Sequence, residues 1–215
     1  LAHQGYLWLR GALSEDALQE LGCALPSAKA GMRLTADPAL EKVIGRNGPV
    51  AQAIGALLPG AFATRIVLFD KSEKQNWGVP WHQDRVIAVK AREDISGFGN
   101  WSQKAGVWHC EPSNDVLSSM LFLRVYLDDE TSDSGALEVA PGSHLNGKIE
   151  AAEAPKLAAA LGSEVCLGRK GDILVLNMLT LHRSQSALRP STRRVLRIDY
   201  ANFALPAPLE WAQAA

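Results

Sequence analysis

The chain has 215 residues, enough for one well-cored domain and short for two, so residues 1–215 are read as a single unit with one site. A hydrophobic fraction of 47%, a charged fraction of 21% and a formal net charge of -1 exclude a field that would gather nucleic acid or anionic lipid. Cys23, Cys110 and Cys166 are widely spaced with no CxxC pair, which argues against a disulfide framework or thiolate zinc site and fits a reducing cytoplasm.

The start, LAHQGYLWLRGALS, has no basic segment followed by a long apolar core, so no targeting signal is expected; its first residue is not Met, so a trimmed start stays open. No apolar run is long enough to span a bilayer. Ser14 precedes EDALQELGCAL as an N-cap, with acids in the first turn and leucines 18, 21 and 25 on one face, which predicts a helix. A second helix is predicted over Pro49 to Leu58, making the N-terminal third helical. From residue 61 the pattern changes to β-rich runs broken by Gly, Pro, Asp and Ser: AFATRIVLFD, VPWHQDRVIAV, SSMLFLRVYLDD, GALEVAPGS, GDILVLNMLTLH and RRVLRIDYANF. Many short strands with turn signals predict a sandwich or barrel. Between them, Lys90 to Ser118 has little periodicity but holds Trp101, Lys104, Trp108 and His109, and a long insertion of this kind predicts a lid over residues 90–118. Residues 150–164, EAAEAPKLAAALGSE, read as an Ala-rich surface helix interrupted by Pro155.

Residues i and i+2 of a strand share a face, so WHQD presents the His82 imidazole and the Asp84 carboxylate side by side while Trp81 and Gln83 point away. His182, at the end of GDILVLNMLTLH, could be brought opposite them by a β-roll. Two His and one carboxylate on one face of a metal form the facial triad of non-haem Fe(II) oxygenases, which leaves positions open for a chelating co-substrate and oxygen. Each motif alone is weak, since an HxD triplet arises by chance and a single His at a strand end is usually hydrogen-bonded structure. The run after His182 separates the readings: Arg193 stands eleven residues on, at the head of the next strand, and its planar fork suits the end of a dicarboxylate.

From about Phe69 to Ala201, through FDKSEKQNWGVPWHQD, LDDETSDSGALEVAPGSH and HRS…RRVLRIDYA, the chain resembles the phytanoyl-CoA dioxygenase family of Fe(II)- and 2-oxoglutarate-dependent oxygenases. The resemblance implies a mainly β (α+β) fold, a double-stranded β-helix or cupin-like jelly roll with N-terminal helices packed on it. It also implies Fe(II), 2-oxoglutarate and O2 as reactants, a hydroxylated small-molecule substrate, and succinate and carbon dioxide as products. His82, Asp84 and His182 would bind the metal, Arg193 the distal carboxylate of 2-oxoglutarate, and Ser184 would hydrogen-bond nearby. Arg124 stands where some relatives have Trp, and serves either the co-substrate or a substrate carboxylate. Halogenating relatives put a small residue at the carboxylate position; Asp84 fills it here. Two rivals on the same fold remain, a 2-oxoglutarate-independent cupin-type metalloenzyme and a non-catalytic small-molecule binding protein. His109 either faces a polar substrate or caps its own loop, His144 is read as a turn residue, and Arg197 as the structural partner of Asp199. Neither substrate identity nor oligomeric state has a sequence signal.

Overall fold

Ser14 does cap a helix: its Oγ accepts from the Ala17 N–H at 3.2 Å, and α1 (Glu15–Ala24) turns Leu18 and Leu21 into the core. The computed structural model describes residues 1–26, 31–71, 76–188 and 193–215. Residues 72–75, within FDKSEKQNW, and 189–192, between His182 and Arg193, lie outside them. Asp37 caps α2 (Pro38–Ile44) by accepting from Leu40 N–H at 2.8 Å. The helix expected from Pro49 to Leu58 stops earlier, as α3 (Pro49–Ala53), and turns follow, with Gly55 just beyond the last helical turn.

The N-terminal third is not purely helical, because β1 (Tyr6–Leu9) and β2 (Met32–Leu34) form the two edges of the largest sheet. The other strands are β3 (Phe62–Lys71), β4 (Val79–His82), β5 (Ile87–Val89), β6 (Gly99–Lys104), β7 (Val107–Glu111), β8 (Leu121–Tyr126), β9 (Leu137–Val139), β10 (Glu164–Cys166), β11 (Ile173–Asn177), β12 (His182–Ser184) and β13 (Arg193–Ala201). Helix α4 (Asn114–Ser118) precedes β8. Helix α5 (Ala154–Leu161) carries Pro155 in its first turn, where the missing N–H costs nothing, so the proline starts this helix instead of interrupting it.

The six-stranded sheet runs β1-β11-β8-β13-β3-β2 and the four-stranded sheet β10-β9-β12-β4, with antiparallel pairing throughout. This is the mainly β jelly-roll architecture. One face of the large sheet packs Leu123, Val125, Val175, Leu196 and Ile198 against Leu18, Leu21, Leu40 and Ile44 of the helices. A second apolar cluster unites Phe122, Leu137, Val139, Leu176 and Val195, drawn from both sheets. Among the described residues no helix is long and apolar enough to cross a membrane.

The segment 90–118 is more ordered than its weak periodicity implied. β6 and β7 form a hairpin that joins β5 in a three-stranded sheet. Ala105 and Gly106 at its tip both have positive φ, 50° and 79°, as a two-residue turn matched to strand twist requires.

Candidate active site

β4 and β12 are hydrogen-bonded neighbours, and the register puts His182 directly opposite His82. His182 does not end the long apolar run: that run breaks after β11, where the Asn177 side chain accepts from the Leu179 N–H at 2.9 Å, and His182 opens β12. Asp84 lies two residues past the end of β4, its N–H bonded to Met178 O at 3.2 Å. Gln83 fixes this stretch by donating to Gly147 O and Leu179 O at 2.8 and 2.7 Å and accepting from Ile149 N–H at 2.8 Å. Trp81 packs with Ala140, Ala154, Ala158 and Leu181, and Arg183 lies over its ring at 4.9 Å.

The result is that one ligand atom each of His82, Asp84 and His182 lie within 4.8 Å of one another. His82 Nδ1 is 2.8 Å from Pro80 O and His182 Nδ1 is 2.9 Å from Thr180 O. A carbonyl only accepts, so each Nδ1 carries the hydrogen and each Nε2 presents a lone pair. His182 Nε2 stands 3.1 Å from Asp84 Oδ2, so a lone pair faces a carboxylate oxygen unless a cation sits with them. This donor set fits Fe(II): two neutral imidazoles and one carboxylate on one side, with a cavity on the other.

Behind the triad is a buried ring of charges. Arg197 donates to Asp84 Oδ2 at 2.5 Å and to Asp199 Oδ1 at 2.8 Å, and Arg65 Nε lies 2.6 Å from Asp199 Oδ2 and its Nη2 3.7 Å from Asp84 Oδ1. Burial alone would raise the Asp84 carboxyl, but Arg197 and then His182 hold it well below the usual carboxylate range. Burial, and next the His182 ring, push the His82 imidazole down to about 4. Arg197 is therefore more than the partner of Asp199, and Arg65, which the sequence reading did not single out, closes the ring. The available signal was an isolated Arg in the apolar strand AFATRIVLFD.

The triad, Arg65 and Arg197 line a cavity of about 310 Å³ between the two sheets, which also takes in Arg124, Ser184 and Arg193, while Asp199 lies behind its wall. Arg193 is buried, with Nε paired to Glu130 and Nη1 donating to Gly135 O at 2.8 Å, so two of its three nitrogens are already engaged. Arg124, also buried, has Nε and Nη2 without a hydrogen-bond partner among the described residues. Arg194 points outward and pairs with Asp128 at 2.8 Å. Lys104 lines the cavity from the tip of the hairpin; His109 does not, being buried with Nδ1 3.0 Å from Val107 O on its own strand. Trp101 packs edge-on to Trp108 at 6.4 Å, and His144 Nε2 lies 3.0 Å from Ala2 O, away from the cavity.

A family model described as "Phytanoyl-CoA dioxygenase (PhyH)" matches residues 1–195. No curated protein matches the chain in sequence. AviO1 from Streptomyces viridochromogenes Tue57 superposes with a TM-score of 0.64 at 21% identity, over 95% of this chain and 92% of that one. HygX from Streptomyces hygroscopicus, with iron bound, gives 0.63 at 16% identity, over 94% and 84%. The epimerase SnoN, in complex with Fe3+, alpha ketoglutarate and nogalamycin RO, gives 0.64 at 15% identity, over 94% and 80%.

Proposed function

Because the chain belongs to the phytanoyl-CoA dioxygenase family and is a 2-oxoglutarate-dependent non-haem iron oxygenase, we propose that it hydroxylates an unactivated C–H bond of a small organic substrate, with His82, Asp84 and His182 as the iron ligands. The observation that carries the ligand assignment is the pair of imidazoles locked with Nε2 lone pairs inward, one of them 3.1 Å from Asp84 Oδ2. Family membership sets aside both the purely binding protein and the catalyst that needs no 2-oxoglutarate.

Iron and 2-oxoglutarate supply the oxygen chemistry, in which one atom of O2 reaches the substrate carbon, the other enters succinate, and carbon dioxide leaves. The protein's part is to hold and to shield. Arg193 through its remaining nitrogen, together with Arg124 through its two unpaired donors, would grip the distal carboxylate of 2-oxoglutarate, and the Ser184 hydroxyl would add a hydrogen bond. Arg197 and Arg65 hold Asp84 ionised and in place, which fixes how its carboxylate meets a metal. Phe122, Val67 and Leu137 supply apolar wall, which keeps water from the reacting carbon. At about 310 Å³ the cavity is at the low end of ligand sites, and it must hold co-substrate and substrate together, so the substrate is small.

The test is a screen of a metabolite library with Fe(II), 2-oxoglutarate and air, following succinate and product mass. A compound that gains one oxygen atom per succinate supports the reading. Succinate release that no compound stimulates, or a product formed without 2-oxoglutarate, would overturn it.

A further inference from the structure

With the triad given to the metal, and Arg193 and Arg124 to 2-oxoglutarate, the cavity still holds more positive charge than those groups use. Seven of its nineteen described lining residues are Lys or Arg, and one, Asp84, is an acid. The acids behind the wall are Asp199, shared by Arg65 and Arg197, Glu130 on Arg193, and Glu138 on Arg183. Among the described residues, setting these four acids against seven cations leaves an excess of three positive charges, and a divalent metal plus a dicarboxylate leave that excess unchanged.

One of the three is Arg124, at the co-substrate end; the other two, Arg33 and Lys104, stand together beside Arg65. Arg33 on β2 and Lys104 at the hairpin tip are exposed lining residues, and neither forms an ion pair among the described residues. Arg65 lies in the same wall, with Arg33 one strand over. Burial, then Arg65, lowers the Arg33 guanidinium from its ordinary value; burial first, then Arg65, Arg33 and Lys104 in turn, lowers His109. Three cations from three strands thus converge with no acid of their own beyond those Arg65 shares. Buried Arg197 adds an Nη2 without a partner among the described residues. This patch is apart from the Arg193 end, because Arg65 pairs with Asp199, six residues along β13 from Arg193, or about 20 Å of extended strand. Like charges gathered in a part-buried wall repel unless an anion joins them.

We propose that the substrate is an anion, whose carboxylate or phosphate oxygens sit among Arg33, Arg65 and Lys104 while the carbon to be oxidised faces the triad. This rests on the oxygenase reading and adds the substrate class to it. A neutral substrate would leave that patch uncompensated. The anion also sets orientation, since one charged end anchored at the mouth fixes which carbon reaches the metal.

Calorimetric titration of anaerobic protein loaded with Fe(II) and saturating 2-oxoglutarate tests it, using butyrate and methyl phosphate as probes and butyramide as the neutral control. We expect saturable binding of at least one anion, the tighter naming the headgroup, and none of butyramide. Arg33→Gln with Lys104→Gln should weaken it about tenfold, and both positions are exposed, so the fold should survive. Butyramide binding as well as butyrate, neither anion saturating, or the double variant binding like wild type would overturn the proposal. The visible band of the iron and 2-oxoglutarate chelate, recorded before each titration, reports the oxygenase reading separately.

Discussion

His82 and His182 face each other across the ladder between β4 and β12, their ring centroids 4.2 Å apart, and each gives its Nδ1 hydrogen to the backbone carbonyl two residues before it. Neither ring can turn without losing that bond, so the lone pairs are aimed before any metal arrives. The same pairing makes the site a source of pH dependence.

With its imidazole held at about 4 against an ordinary 6.5, His82 takes up a proton less readily in the folded protein than in the unfolded chain. The contribution of His82 to the stability of the metal-free protein is then full above pH 6.5 and is lost as pH drops towards 4, by up to about 3 kcal/mol. Urea denaturation at pH 7 and pH 4.5 should show a larger loss for wild type than for His82→Gln. Equal losses would place the titrating group elsewhere.

Arg124 and Arg193 should separate binding from stability. Arg124→Ala removes donors that have no partner among the described residues, and should raise the Michaelis constant for 2-oxoglutarate about tenfold or more with little change in melting temperature. Arg193→Ala strands buried Glu130 and should also destabilise the fold, by roughly 3 kcal/mol or more. Arg194→Ala, outside the cavity, should change neither constant. An Arg124→Ala variant with wild-type kinetics for 2-oxoglutarate would remove that residue from the co-substrate site.

Asp84 predicts the product. A carboxylate already in place, with Arg197 fixing one of its oxygens, leaves no ligand position for chloride where a small residue would open one. Turnover in excess chloride should give an alcohol and no chlorinated product by mass spectrometry. Asp84→Ala should lose hydroxylation, since only two protein ligands remain.

Proposed as a lid, the β6 and β7 hairpin should tighten over a bound substrate, because its tip carries Lys104 into the cavity wall. Hydrogen exchange along residues 99–111 should slow when substrate is added. Unchanged exchange, with Trp101→Ala and Lys104→Ala both at wild-type turnover, would leave the hairpin a structural element only.

The meeting of His82, Asp84 and His182 was legible from the HxD spacing and the family-like order of the motifs, although strand alternation was not its cause: β4 ends at His82, and Asp84 is held by its N–H bond to Met178 O and by the bonds of Gln83. Less legible was where the run before His182 breaks, since ILVLNMLTLH is apolar almost throughout and only Asn177, a residue that caps its own turn, marks the end of β11. β1 and β2 were missed because edge strands of four and three residues are too short for alternation to emerge. The hairpin was missed because Ala-Gly stands at a turn where Asn-Gly is the usual signal. Arg33 and Arg65 could not be placed in the cavity from sequence, as their convergence with Lys104 depends on the pairing of β2 with β3 and on the fold of the hairpin.

His82, Asp84 and His182 are proposed to hold the iron that 2-oxoglutarate chelates. Anaerobic addition of Fe(II) and then 2-oxoglutarate to the protein, followed in the visible spectrum, reads that chelate. Wild type should show a weak charge-transfer band that saturates with one equivalent of iron, and His182→Ala should show none. No band in wild type, or a band that survives intact in His182→Ala, would contradict that assignment.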